Sequence, residues 1–363
     1  VLTYSEKCGA DAALNTIVMA GAHDAGISHG KWYARTQALN IRQQAIAGVR
    51  LFDLRIAAAT SGGMTGGIKN AELRTYHADG KAKSTETKTR FLTDTGQAVQ
   101  LDRSKVRMGA FGETLSEVLE QAKAFVSYHD SEFLILKFDK CLNWPLIAEA
   151  CVLHLGQRIY KDGGNLNIKS LRELAGKVIV LFTSDGIAAT PNFGPADGIL
   201  KIKNCNGGGG YDSNYDGLQY YGKGGTSLMG VTPIKENRKK QRGLMQDGIK
   251  SNPQVMGMMY WTSTGLLGSI KLRDKMMWKQ TNRLSLQQTW RAGLSESITD
   301  RLSKPPRPGS GGSVMKTFMP NIVMIDFARV DRCRVIMDLN DVAGYEMMKL
   351  YVEDIDADAA ESS

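Results

Sequence analysis

Residues 15–26 read Asn15-Thr-Ile-Val-Met-Ala-Gly-Ala-His-Asp-Ala-Gly26, an apolar run of strand length that ends in a His-Asp pair set among small residues. Such a run is what a parallel strand buried on both faces requires. Five more follow: Val49-Arg-Leu-Phe-Asp-Leu-Arg-Ile56, Glu132-Phe-Leu-Ile-Leu-Lys-Phe138, Lys177-Val-Ile-Val-Leu-Phe182, Val255-Met-Gly-Met-Met-Tyr-Trp261 and Asn321-Ile-Val-Met-Ile-Asp-Phe327. Helical patterns lie between them. Thr114 is placed to cap a helix whose apolar positions Leu115, Val118, Leu119, Ala122 and Phe125 recur at helix spacing. Ser170 is placed to cap Leu171-Arg-Glu-Leu174, and 284–302 is helical in pattern. Strands alternating with helices predict right-handed βαβ units and a mainly parallel sheet. Six or more strands over this length favour an α/β fold of the TIM type, a closed or nearly closed (β/α) barrel, over a doubly wound sheet.

Two regions interrupt the alternation and read as long loop insertions. Residues 57–112 are rich in Gly, Thr and Lys around one short strand, Leu73-Arg-Thr-Tyr-His77. Residues 184–252 hold four glycines at 207–210, a Tyr/Asp/Asn/Gly-rich stretch and the basic run Lys235-Glu-Asn-Arg-Lys-Lys-Gln-Arg242. Loops this long are usually functional lids or lack fixed structure. Pro305, Pro306 and Pro308 mark a further loop, and the acidic end, 354–363, reads as a flexible tail. The 363 residues suit a single barrel domain with insertions, and 42% hydrophobic residues supply its core.

The formal net charge of +9 favours anionic partners. No nucleic-acid-binding motif accompanies it, so nucleic acid is not the expected partner. No apolar run is long enough to span a bilayer, which needs about 18 residues. The five cysteines show no Cys-x-x-Cys spacing, so neither a zinc site nor a disulfide framework is expected.

The chemistry-bearing residues cluster at strand ends. His23 and Asp24 end the first strand, and the C-terminal strand ends of a parallel barrel carry its active site. Asp53 and Arg55 alternate onto one side of the second strand. A guanidinium there suits phosphate, since its planar fork donates two parallel hydrogen bonds. His77 ends a short strand, and Asp326 stands near the end of the last. Taken singly, each also reads as a helix cap, a structural ion pair or an unremarkable loop residue; four strand ends carrying such groups are harder to explain that way.

The order of these pieces resembles the X-type catalytic domain of phosphatidylinositol-specific phospholipases C, in particular the bacterial single-domain, metal-independent branch. Ala20-Gly-Ala-His-Asp-Ala-Gly26 is similar to the family's Pro-Gly-Thr-His-Asp-Ser-Gly segment. Gln43-Gln-Ala-Ile-Ala-Gly-Val-Arg-Leu-Phe-Asp-Leu-Arg55 is similar to its Gln…Gly-Ala-Arg…Phe-Asp-Ile-Arg segment. Tyr76-His77 before Gly80 resembles its second His-Gly site, Ala175-Gly-Lys-Val-Ile-Val-Leu181 a later strand, and Ile325-Asp-Phe327 its late Met-Asp-Phe. The resemblance is clear over 14–185, blurred over 186–320, and returns at 321–327.

The resemblance implies cleavage of a phosphatidylinositol-type lipid at a membrane surface by a peripheral enzyme acting outside the cell that makes it. It makes His23 the general base and His77 the general acid. Asp326 would orient His23, Asp24 would assist His77, and Arg55, held by Asp53, would neutralise the phosphoryl oxygens. Calcium-dependent relatives carry a metal-binding carboxylate where Arg55 stands, so no metal or other cofactor is expected. Headgroup contacts are implied for Lys137 and Asp139, and, within the blurred region, for Tyr211, Asp212 and Tyr215. Departures are Ala25 for the family's Ser, Asp139 near a Lys position and Thr183 near an inositol-contacting Arg. Another phospholipid or glycolipid headgroup, or a catalytically inactive lipid-binding module, remains an alternative at this stage.

Overall fold

The computed structural model of the chain describes residues 1–30, 32–60, 71–77, 82–92, 98–105, 110–207, 210–224, 233–248, 254–263, 270–279, 286 and 320–341. The expected helix over 284–302 lies outside these apart from residue 286, and the proline loop, Gly80 and the 354–363 tail lie wholly outside them.

Strands β1 (Met19–Ala22) and β2 (Val49–Leu54) open a barrel. An inserted unit follows with β3 (Ile56–Thr60), β4 (Ala71–His77), β5 (Lys83–Leu92), β6 (Ala98–Lys105) and β7 (Ala110–Thr114). The barrel resumes with β8 (Leu134–Phe138), β9 (Val178–Phe182), β10 (Ile199–Asn204), β11 (Gly217–Gly222), β12 (Met256–Trp261) and β13 (Ile322–Ile325). Its eight strands are all parallel, follow one another in chain order and close where β13 pairs with β1. Helices run outside: α1 (Tyr4–Cys8), α2 (Ile41–Ala47), α3 (Leu115–Tyr128), α4 (Trp144–Leu155), α5 (Leu171–Leu174), α6 (Ser184–Ala189), α7 (Pro233–Gly248), α8 (Ile270–Met277) and α9 (Val330–Met337). Thr114 and Ser170 cap α3 and α5 as read from the sequence, each in a reciprocal box with the Glu three residues on.

Strand alternation divides the core in two. Leu51, Ile135, Ile179, Leu200, Leu218, Met256 and Met324 fill the barrel. Phe52, Leu136, Phe138, Val180 and Ile325 pack with apolar residues of α2, α3 and α4. The inner face is crowded: a Cβ on Gly21 would lie 2.3 Å from the Met324 sulfur, so a larger residue there would have to displace the Met324 side chain.

Residues 184–252 are not an insertion. They supply β10, β11, α6 and α7, half of the barrel's later wall. The two strands escape a sequence reading because neither is an apolar run. In Ile-Leu-Lys-Ile-Lys-Asn and Gly-Leu-Gln-Tyr-Tyr-Gly, polar residues alternate onto the outer face. Residues 57–112 do interrupt the barrel, yet they contain five strands rather than one: the antiparallel sheet β3-β4-β7 and the pair β5-β6. The basic run at 235–242 is part of α7, not of a loop.

Candidate active site

The C-terminal ends of the parallel strands share one mouth, and the alternation that buries Met19, Leu51, Ile135 and Met324 brings His23, Asp53, Lys137 and Asp326 there. Beyond β1 the chain turns sharply. Asp24 takes a left-handed conformation (φ 42°), as does Phe327 beyond β13 (φ 47°). Non-glycine residues adopt this region seldom, and such strain gathers at functional sites. Thr36 holds both turns: its hydroxyl donates to the Asp24 carbonyl (2.8 Å), and its own carbonyl accepts from the Phe327 N–H (2.7 Å).

His77 arrives from the inserted unit. The Tyr76 N–H donates to the Arg55 carbonyl at 2.9 Å, and the Thr75 hydroxyl and Glu113 N–H both reach the Gly26 carbonyl at 3.0 Å. The approach leaves no room for side chains, since a Cβ on Gly112 would lie 2.1 Å from the Gly26 oxygen. The sheet β3-β4-β7 is thereby seated on the turn after β1, with His77 facing Asp24.

Asp24 is the hub. Its Oδ2 lies 2.5 Å from His77 Nδ1 and 3.5 Å from His23 Nε2, while Oδ1 lies 3.0 Å from Arg55 Nε. The two imidazoles are therefore separated at these nitrogens by no more than the sum of the two Oδ2 distances. On the far side of His23, Nδ1 lies 3.0 Å from Asp326 Oδ1. A second pair sits alongside, with Lys137 Nζ 2.7 Å from Asp53 Oδ1 and 3.7 Å from Asp139 Oδ2. Asp53 thus holds Lys137, its register partner across β2 and β8, and the carboxylate that holds Arg55 is Asp24; the sequence reading paired Arg55 with Asp53.

These pairings set the protonation states. Burial disfavours charge on His23, but Asp24 and Asp326 outweigh it and raise the imidazole to about 9. Burial would raise the Asp24 carboxyl; Arg55, His23 and His77 hold it far below the usual range. Asp24 also raises Arg55 against the opposing effect of burial. Lys137 stays charged despite burial because of Asp53 and, further off, Tyr260, Tyr220 and Asp139.

Tyr211, Asp212 and Tyr215 do not line the mouth. They belong to the segment between β10 and β11, which packs on the outer faces of these strands. The Tyr211 hydroxyl accepts from Asn165 (2.5 Å), the Asp212 main chain exchanges two hydrogen bonds of 2.8 Å with the Gln219 side chain, and Tyr215 lies under Lys203 at 5.2 Å. The region's inward contribution is Tyr220, two residues after the core residue Leu218. Tyr260 was missed altogether; its ring meets His23 edge-on at 6.3 Å. Its signal is the alternation Met256, Met258, Tyr260 within a run otherwise read as uniformly apolar. Thr183, just after β9, carries a buried hydroxyl with no hydrogen-bond partner among the described residues.

Among the described residues, His23, Asp24 and Asp53 form a group whose metal-ligand-type atoms lie within 4.8 Å of one another. Both carboxylates are already paired, Asp24 with Arg55 and Asp53 with Lys137. The negative charge that a cation would neutralise is met by the chain's own side chains, so the grouping reads as an ion-pair network. Among the described residues no helix is long and apolar enough to cross a membrane.

The fold and mouth define a (β/α)8 barrel with two carboxylate-linked histidines beside an arginine. No protein-family model matches the chain, and no curated protein matches it. Solved structures similar to it include two phosphatidylinositol-specific phospholipases C. That of Listeria monocytogenes is 14% identical, with 91% of this chain and 94% of that one covered and a TM-score of 0.46. One of Staphylococcus aureus is 13% identical, covering 93% and 96%, with a TM-score of 0.49.

Proposed function

We propose that the chain is a phosphodiesterase that cleaves phosphatidylinositol-type lipids by intramolecular attack of an inositol hydroxyl, without a required metal. The observation that carries this is the arrangement of two imidazoles on one carboxylate, Asp24, with Arg55 on its other oxygen. Cleavage of a phosphodiester by a neighbouring hydroxyl needs a base for that hydroxyl, an acid for the departing alcohol and a cation for the phosphoryl oxygens. Histidine serves both proton-transfer roles, and intramolecular attack gains from proximity.

His23 Nε2 takes the proton of the attacking hydroxyl as the new O–P bond forms. The imidazolium so produced is held by Asp326 at Nδ1. The Arg55 guanidinium receives the negative charge on the non-bridging oxygens. His77, oriented at Nδ1 by Asp24, donates from Nε2 to the glycerol oxygen as its bond to phosphorus breaks. The products are diacylglycerol and a cyclic inositol phosphate. Lys137, Asp53 and Asp139, with Tyr220 and Tyr260 nearby, give a polar flank suited to the hydroxyls of a polyol.

A second reading, the same chemistry on another headgroup with a vicinal hydroxyl, is favoured by one observation: Thr183, not an arginine, follows β9, with its hydroxyl unpartnered among the described residues. Phosphorus NMR of products from a mixed phospholipid substrate, with His23→Ala as control, tests both. Appearance of a cyclic inositol phosphate supports the first reading. A cyclic product from another lipid alone supports the second, and no cleavage overturns both.

A further inference from the structure

Asp326 is fully buried, and its Oδ1 meets His23. Its Oδ2 is buried without a hydrogen-bond partner among the described residues. Among the described residues His23 is the one side chain that bonds this carboxylate, so its aim is set largely by the main chain from which it projects. That main chain is an awkward one, since the next residue, Phe327, sits at φ 47°.

One side chain grips this turn from below. Arg332, in the first turn of α9, sends Nη1 to the carbonyls of Asp326 (2.9 Å) and Phe327 (3.1 Å). The same nitrogen lies 2.9 Å from Oδ1 and 2.7 Å from Oδ2 of Asp274 on α8. The guanidinium is further located by the Trp278 ring, 4.9 Å from its carbon. Arg332 and Asp274 are 5% and 2% exposed, so this is a desolvated ion pair. Such a pair contributes little net stability compared with apolar packing, which points to geometry as its contribution. Burial pushes the Asp274 carboxyl up to about 7, with Arg332 pulling it down and the Asp326 charge pushing it further up. Neither Asp274 nor Arg332 touches the mouth. Among the described residues, their hydrogen bonds beyond their own pair end at the Asp326 and Phe327 carbonyls.

We infer that Arg332, clamped by Asp274, is a positioning residue for the His23–Asp326 couple: it fixes the left-handed turn at 326–327 and so aims the Asp326 carboxylate at His23 Nδ1. The inference rests on the proposed role of His23 for its catalytic consequence, but not for its structural one.

The test separates the two. Arg332→Lys keeps the charge but loses the guanidinium that carries Nη1 to both carbonyls and stacks beside Trp278. Asp274→Asn keeps the shape and frees the guanidinium. The titration of His23 is followed by NMR in the substrate-free protein, with Asp326→Asn as reference, alongside kcat and KM on a soluble inositol phosphodiester. In the folded variants the His23 midpoint should move down, in the direction of Asp326→Asn. In addition, kcat should fall about 100-fold with KM nearly constant, the effect of misplacing a catalytic group by about 1 Å. A His23 midpoint unchanged in both variants overturns the inference. If Arg332→Lys does not fold, Asp274→Asn decides by the same criterion. Because the NMR readout needs no substrate, a midpoint that moves in a protein without phosphodiesterase activity upholds the positioning role and rejects the reaction.

Discussion

Replacing Asp326 by Asn should disable the base without altering the barrel. The side chain is fully buried, nearly isosteric with Asn, and 3.0 Å from His23 Nδ1. His23 is raised to about 9 by two carboxylates acting against burial, Asp24 from one side and Asp326 from the other. Removing one of them should lower the imidazole by on the order of 1–2 pH units, or about 1.4–2.7 kcal/mol of lost imidazolium stabilisation. The kinetic loss should exceed this. An Asn amide that presents its NH2 to Nδ1 leaves the proton on Nε2, the nitrogen that must accept one. In the serine-protease triad this tautomer error costs about 10^4 in kcat. We therefore expect kcat to fall by about 10^2–10^4 with KM little changed. Measurement needs a soluble inositol phosphodiester, a pH–rate profile and the His23 NMR titration. A kcat within about twofold of the parent and an unmoved His23 midpoint would refute the assignment.

Other consequences follow from the same geometry. The base must be neutral to act, so kcat/KM on a soluble substrate should rise with pH toward 9, the value to which Asp24 and Asp326 raise His23; a rise centred near 6.5 would show that the two carboxylates do not act on it. The stability linkage has the opposite direction. A folded value above the unfolded one stabilises fully below about 6.5 and is lost as pH rises through about 9, so the thermal midpoint should drop across that window, and less in Asp326→Asn. Arg55→Lys should retain the charge beside Asp24 yet reduce turnover by at least about tenfold, because a lysine cannot make the paired contacts to phosphoryl oxygens; unchanged kcat would remove Arg55 from the phosphate site. On α7, Asn237 bonds the Tyr260 and Thr262 carbonyls, which places the helix start near the mouth. Lys235→Gln should therefore weaken sedimentation with anionic vesicles at low salt by about 1 kcal/mol, and Arg242→Gln by less; equal or absent effects would leave the run a solvated helix face.

The strands that the sequence made legible are those buried on both faces, such as Val178–Phe182, where every residue is apolar. β10 and β11 were lost because polar residues, Lys201 and Lys203 on β10 and Gln219 on β11, alternate onto their outer faces and break the apolar run. The residues at the mouth were readable from strand alternation, but their partners were not. Asp53 and Arg55 lie on one side of one strand, and proximity in sequence suggested a pair. Pairing is decided between strands, where register sets Asp53 opposite Lys137 and the turn after β1 brings Asp24 to Arg55. Tyr211, Asp212 and Tyr215 were headgroup contacts implied by the resemblance in the region where it is blurred, and hydrogen bonding to Asn165 and Gln219 keeps the first two on the outer wall.

The central claim is that His23 and His77 transfer protons in a metal-independent cleavage by an inositol hydroxyl. Phosphorus NMR of phosphatidylinositol vesicles incubated with the chain in excess EDTA tests it most directly. The account predicts a cyclic inositol phosphate as first product, formed at the same rate with and without chelator and abolished by His23→Ala and by His77→Ala. A reaction that stops in EDTA and resumes with calcium, or one that persists in either variant, would contradict it.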